Sequence, residues 1–176
     1  MNINDLKDRI RNIPNFPKPG IVFRDITTLL NDPKAFAKVI DIYSEHFKDK
    51  GINKIVAVES RGFIFGGALA YKMGAAFIPV RKLGKLPGET IKKEYELEYG
   101  VDALEMHRDS IKSGDNVLVV DDLMATGGTL AASCGMVEKL GGNIAGIGVL
   151  VELSYLKGQE LFKNYDYLPL IKYDSE

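Results

Sequence analysis

The chain has 176 residues, with 23 Lys and Arg against 24 Asp and Glu, 45% apolar residues, one cysteine and no tryptophan. That length carries one domain with its own core, and the apolar content with a net charge of -1 excludes a disordered chain. Near-neutrality gives no basic face for nucleic acid or acidic lipid, apolar runs such as IGVLV at 147–151 are too short for a bilayer, and Cys134 alone excludes an intrachain disulfide.

The first residues, MNINDLKDRIRN, mix both charges and lack an apolar run, so no signal peptide and a cytoplasmic location are expected. Residues 12–28 follow, with three prolines and a glycine among Phe16, Ile21, Val22 and Phe23. The segment is too apolar for a linker and too irregular for a helix, which predicts a covering element. Asp32 then caps a helix with Pro33 in its first turn; Phe36, Val39, Ile40, Tyr43 and Phe47 share one face, and Gly51 closes it. Residues 54–58 read as a strand, about 62–73 as a helix stopped by Gly74, and 76–80 as a second strand. Residues 81–99 break the alternation with five basic and four acidic residues. Gly84, Pro87 and Gly88 lie in the first half, and a hairpin-like alternation in the second. So long a loop in a compact domain suggests a lid. Residues 116–120 and 144–151 are further strands, around a helix that begins near Gly128 and ends at Gly141 and Gly142. Continuous β-branched runs suit strands buried on both faces. The alternation predicts an α/β fold: an open, mainly parallel sheet flanked by helices, in a single domain. Ligands of such sheets bind beyond the carboxyl ends of the strands.

The most informative of those ends is at residues 117–129, VLVVDDLMATGGT. Four apolar β-formers run into Asp121 and Asp122, then a small-residue loop, then a helix. Ala125, Thr126, Gly127, Gly128 and Thr129 suit a phosphate monoester: glycines allow close backbone approach, two hydroxyls donate, and the helix start offers free N–H groups. Neither GxxxxGK[ST] nor a strand-end GxGxxG is present, which argues against a triphosphate loop and a dinucleotide site. The adjacent carboxylates could accept hydrogen bonds from sugar hydroxyls or face the water shell of a Mg²⁺ ion; a pentose 5-phosphate satisfies the loop and the acids together. Acids merely favouring the helix dipole would explain one aspartate more readily than two.

This stretch resembles the phosphoribosyl-pyrophosphate (PRPP) motif of the type I phosphoribosyltransferases. FPKPGIVFRDITTLL at 16–30, ESRGF at 59–63, RKLGKLPG at 81–88, YELEYG at 95–100, VDALEMHRDSI at 101–111 and VELSYLKG at 151–158 resemble the adenine phosphoribosyltransferase family, in the expected order from about Asp5 to Lys172. Thr28 stands where bacterial relatives often carry proline. The resemblance implies adenine plus PRPP giving AMP and pyrophosphate in purine salvage, with Mg²⁺ as cofactor held by PRPP rather than by direct protein ligands, and a homodimer. No nucleic-acid or membrane partner is implied.

The same resemblance implies the residue roles. Ser60 and Arg61 would contact pyrophosphate through backbone amides and an arginine fork, with Arg81 and Lys85 as further basic contacts, in their own site or across a dimer interface. Asp121 and Asp122 would serve the ribose, directly or through metal-bound water. The lid, about 82–98, would exclude water from an oxocarbenium-like centre. Within it Glu98 would handle a proton as the purine nitrogen attacks, or orient the base. The hood, about 12–30, would read adenine through backbone groups of Ile21, Val22 and Arg24, with Phe23 stacking on one face and Leu153 against the other. Other purine phosphoribosyltransferases usually lack FPxPGIVFRDI. A PRPP-sensing regulator would typically add a DNA-binding domain, and a PRPP synthetase would need ATP-binding elements and a longer chain.

Overall fold

The computed structural model describes residues 1–96 and 101–175. In chain order the elements are α1 (Ile3–Lys7), β1 (Arg11–Pro14), β2 (Val22–Asp25), α2 (Thr27–Leu30), α3 (Pro33–Phe47), β3 (Lys54–Val58), α4 (Gly62–Met73), β4 (Ala76–Lys82), β5 (Thr90–Glu96), β6 (Val101–His107), β7 (Asn116–Met124), α5 (Gly128–Lys139), β8 (Asn143–Leu153) and β9 (Tyr167–Tyr173), with short 3-10 turns between. Seven strands form one sheet in the order β5-β6-β4-β3-β7-β8-β9. The pairs β4–β3, β3–β7, β7–β8 and β8–β9 are parallel, and β6 and β5 add an antiparallel hairpin at one edge.

The apolar runs are continuous because both faces of the sheet are covered. Leu118 and Val120 point into a core shared with Val39, Tyr43 and Phe47 of α3 and Phe65 and Leu69 of α4. Val117 and Val119, one residue out of step, point into a second core with Leu130, Cys134 and Val137 of α5 and Leu104 and Met106 of β6. A strand alternates its side chains between faces, so a helix layer on each side demands apolar residues at every position.

The helix ends follow from local chemistry. The Asp32 side chain accepts the amides of Lys34 and Ala35, and Pro33 occupies the first turn of α3. The helix gives way to a 3-10 turn at Lys48–Lys50 before Gly51, in the left-handed region at φ 61°, reverses the chain.

The segment at 12–28 is more ordered than its prolines suggest. Strands β1 and β2 form an antiparallel ribbon, with Ile13 opposite Phe23 and Asn12 opposite Arg24. The Asp25 side chain accepts the amide and hydroxyl of Thr27 and two N–H groups of Arg11. The Thr28 hydroxyl donates to the Arg9 carbonyl at 2.5 Å, a tie that proline could not make. In the acidic-basic segment after β4, Thr90–Glu96 is a strand paired along its length with β6. Strands β6 and β9 go beyond the elements that periodicity predicts. The first lies within a family motif, and the second is a short C-terminal run.

Candidate active site

Strand β7 carries the centre of the site. Its ladder runs on past Val120 through Asp121 and Asp122 to Met124, so both carboxylates leave the sheet from a rigid strand, 8% and 6% exposed. The Asp122 amide donates to Asp121 Oδ1 at 2.8 Å. Helix α4 starts hard against that oxygen: a Cβ on Gly62 would stand 2.8 Å from Asp121 Oδ1, so only glycine fits at this helix start. Burial pushes the Asp121 carboxyl well above its ordinary range, and the neighbouring Asp122 charge pushes it further. Asp122 is raised too, again by burial, but Arg61 works against the shift with Nη2 2.8 Å from Asp122 Oδ2.

Beyond the acids the chain forms the expected loop. Gly127 has φ 86°, in the left-handed region, and immediately precedes α5. The loop from Ala125 to Thr129 walls a hollow of about 230 Å³. A cleft of about 330 Å³ lies alongside, lined by Ser60, Arg61, Lys82, Tyr95 and both aspartates among others. Asp121 and Thr129 border both, so the two hollows meet beside the Asp121 carboxylate. The back of the loop rests on a short 3-10 segment at Gly158–Phe162. There a Cβ on Gly158 would collide with Met124 Sδ and reach within 2.6 Å of the Ala125 carbonyl oxygen. Nothing in the sequence singles out Gly158, because a lone glycine after VELSYLK carries no local signal.

The strand-end loop after β3 faces the acids across the cleft, and its Glu59–Ser60 peptide is cis. Arg61 lies here as expected, engaged with Asp122. Arg81 has its fork on Glu59, donating from Nε at 2.9 Å and Nη2 at 2.8 Å, while the Lys82 amide donates to the other Glu59 oxygen at 2.7 Å. Burial opposes the Glu59 charge, but the Lys82 amide and Arg81 outweigh it and hold the carboxyl below its usual range. Lys85 is exposed, and its ammonium has no carboxylate within ion-pair distance among the described residues. Tyr95 and Lys82 reach the cleft unforeseen: Lys82 Nζ lies 3.1 Å from Asp102 Oδ2, and the Tyr95 hydroxyl donates to the same oxygen at 3.3 Å. Both stand inside family motifs, but nothing local separates them from other surface residues.

The hood reaches the cleft through aromatic contacts. Phe23 packs edge-on against Phe16, with ring centroids 5.2 Å apart, and the Arg61 guanidinium lies 5.3 Å from the Phe23 ring centre. Ile21 is exposed, Val22 half-buried, and Leu153 half-buried at the end of β8. The Arg24 side chain turns away: it lies 3.9 Å over the Tyr173 ring and donates to Asn12 Oδ1 at 2.7 Å, leaving only its backbone for a base. Glu98 lies outside the described residues. Among the described residues no three His, Cys, Asp or Glu side chains gather as a metal site. Two acids, one of them committed to an amide and the other to Arg61, suit a cation brought by a polyanionic ligand and met through water.

A family model for the phosphoribosyl transferase domain matches residues 25–173. The chain is 54% identical to an adenine phosphoribosyltransferase of Clostridium novyi over 170 residues, 97% of this chain and 99% of that one. The chain belongs to the adenine phosphoribosyltransferase family. Among solved structures, the adenine phosphoribosyltransferase of Thermoanaerobacter pseudethanolicus superposes with a TM-score of 0.93 at 49% identity, covering 98% of this chain and all of that one. That of Saccharomyces cerevisiae, complexed with adenine and an imino-altritol bisphosphate, gives 0.89 at 42%, covering 96% and 97%. The mainly parallel sheet with its flanking helices is thus the type I phosphoribosyltransferase fold.

Proposed function

We propose that the chain transfers the 5-phosphoribosyl group from PRPP to adenine, giving AMP and pyrophosphate in purine salvage. The observation that carries this reading is the meeting of the two hollows at Asp121 and Thr129, one walled by the loop Ala125–Thr129 and the other lined by Arg61 and Asp122. The 5-phosphate takes the amides and hydroxyls of Ala125–Thr129, where the start of α5 favours an anion. The ribose hydroxyls meet Asp121 and Asp122. Charge then separates, with a cationic sugar between a departing polyanion and an attacking base, so positioning and electrostatics supply most of the acceleration.

Arg61 is poised for exchange: it neutralises Asp122 in the free protein and moves to pyrophosphate when PRPP arrives. Arg81 and Lys85 complete that anion site; Asp121 or Asp122 would meet, through water, a Mg²⁺ ion brought by PRPP, which would lower the charge on the leaving group. Phe23 and Leu153 sandwich adenine, while backbone groups of Ile21, Val22 and Arg24 read its edge. The segment at 82–98 covers the site and supplies Glu98 for the proton. A homodimer belongs to this reading, supported by Ile64 and Tyr71, seven residues apart on one face of α4 and 42% and 92% exposed, and by exposed Leu83 after β4. A cytosolic location also belongs to this reading, consistent with a single buried cysteine without a disulfide partner.

The test is purified protein with Mg²⁺, PRPP and, in turn, adenine, hypoxanthine, guanine and xanthine. AMP from adenine alone supports the reading. No nucleotide from any base would favour a PRPP sensor instead.

A further inference from the structure

Glu105 on β6 is 2% exposed, yet its carboxylate faces no cation within ion-pair distance among the described residues. Its partners are two backbone amides and a hydroxyl. The Lys85 and Leu86 amides both donate to Glu105 Oε1 at 2.8 Å, and the Thr90 hydroxyl lies 3.4 Å from Oε2. Those bonds outweigh the cost of burial and hold the carboxyl below its usual range. In the ladder Glu105 sits opposite Arg81 on β4 and Lys92 on β5. Arg81 nevertheless goes to Glu59 and donates to the Lys85 carbonyl at 3.3 Å. The turn from Arg81 to Leu86 is therefore tied at both ends: Glu59 takes the Arg81 fork and the Lys82 amide, and Glu105 takes the amides of Lys85 and Leu86. The Lys85 side chain is left exposed. A carboxylate that accepts two amides fixes a turn without neutralising the ammonium that the turn presents.

We infer that Glu105 is a positioning residue for the pyrophosphate half of the site, fixing the backbone from which Lys85 reaches the leaving group. The inference deepens the proposed function and rests on its assignment of Lys85. Its ionised, buried carboxylate is the essential feature. Glutamine keeps the shape, but it offers the two amides a neutral and weaker acceptor and places its own amide nitrogen at the Thr90 side.

The experiment compares Glu105→Gln, Lys85→Ala and the double variant in steady-state kinetics, with amide exchange by NMR at Lys85 and Leu86. In Glu105→Gln the KM for PRPP should rise between about tenfold and a hundredfold, the loss expected for charge-assisted bonds, while the KM for adenine stays unchanged. Exchange at the two amides should quicken by a similar factor. The double variant should be no worse than the more damaged single one, because Glu105 acts through Lys85. Multiplying effects, an unchanged KM for PRPP, or unchanged exchange would each overturn the inference. It also falls if Lys85→Ala behaves as wild type while Glu105→Gln is impaired, and the phosphoribosyl reading then stands. If the wild type forms no AMP at all, that reading fails, and amide exchange still decides whether Glu105 holds the turn. Glu105→Asp, which keeps the charge but withdraws it by one methylene, replaces the glutamine variant should that one not fold.

Discussion

Gly158→Ala would add one carbon at the back of the phosphate loop, 2.6 Å from the Ala125 carbonyl oxygen, 2.7 Å from the Thr126 carbonyl carbon and in collision with Met124 Sδ. The methionine can swing aside; the two backbone atoms cannot without moving the loop. Gly158 needs no left-handed conformation, so alanine fits its backbone and the effect is steric alone. Bringing the Ala125 contact out to an ordinary 3.4 Å requires a displacement of roughly 0.8 Å, an overpacking that costs about 1–3 kcal/mol. For a domain of this size that lowers the thermal midpoint by about 3–10 °C. The loop must present its amides to a phosphate within a fraction of an ångström, and a shift near 1 Å costs about a hundredfold in turnover. The assay is kcat/KM for PRPP beside KM for adenine, with melting followed by circular dichroism. We expect kcat/KM for PRPP to fall about a hundredfold and KM for adenine to hold, because Phe23 and Leu153 lie on other elements. Melting as expected with unchanged kinetics toward PRPP would refute the placement of the phosphate in this loop.

Asp121→Asn removes a buried charge whose folded-state pKa is raised. The cost of that charge is absent below the ordinary aspartate value of 3.8 and grows as pH rises. The variant should therefore melt above wild type at pH 7, with the gap closing toward pH 4, while turnover falls; equal midpoints at pH 7 would contradict the burial argument. Asp25 is shifted the other way, to about 2, first by the Thr27 hydroxyl and then by Arg11. Its contribution is present above 3.8 and is lost as pH falls toward 2, and Asp25→Asn should cost about 2 kcal/mol at pH 7 by urea unfolding and almost nothing near pH 2. Glu98→Gln should lower kcat by about a hundredfold or more with KM for PRPP little changed, and unaltered turnover would remove Glu98 from proton handling.

The sequence by itself determined the architecture and the centre of the site. Continuous β-branched runs suit strands covered on both faces, and residues 117–129 carry strand, acids, small-residue loop and helix start in one uninterrupted stretch, so local chemistry sufficed. Gly62, Gly74 and Gly127 mark helix boundaries where close approach or a left-handed backbone is required. The acidic-basic stretch after β4 showed its hairpin alternation, but not that β5 and β6 would extend the main sheet. The tertiary structure alone decided which charges meet. Arg61 turns to Asp122, Arg81 to Glu59, and Glu105 to two amides, across sequence separations that no periodicity encodes. The Arg24 side chain packs over Tyr173, and Gly158 supports a loop about thirty residues before it because β8 returns the chain to the same sheet edge. Backbone periodicity is written in neighbouring residues. Side-chain pairing depends on which strand ends the sheet order brings together, and in a sheet ordered β4-β3-β7-β8 those ends come from distant parts of the chain.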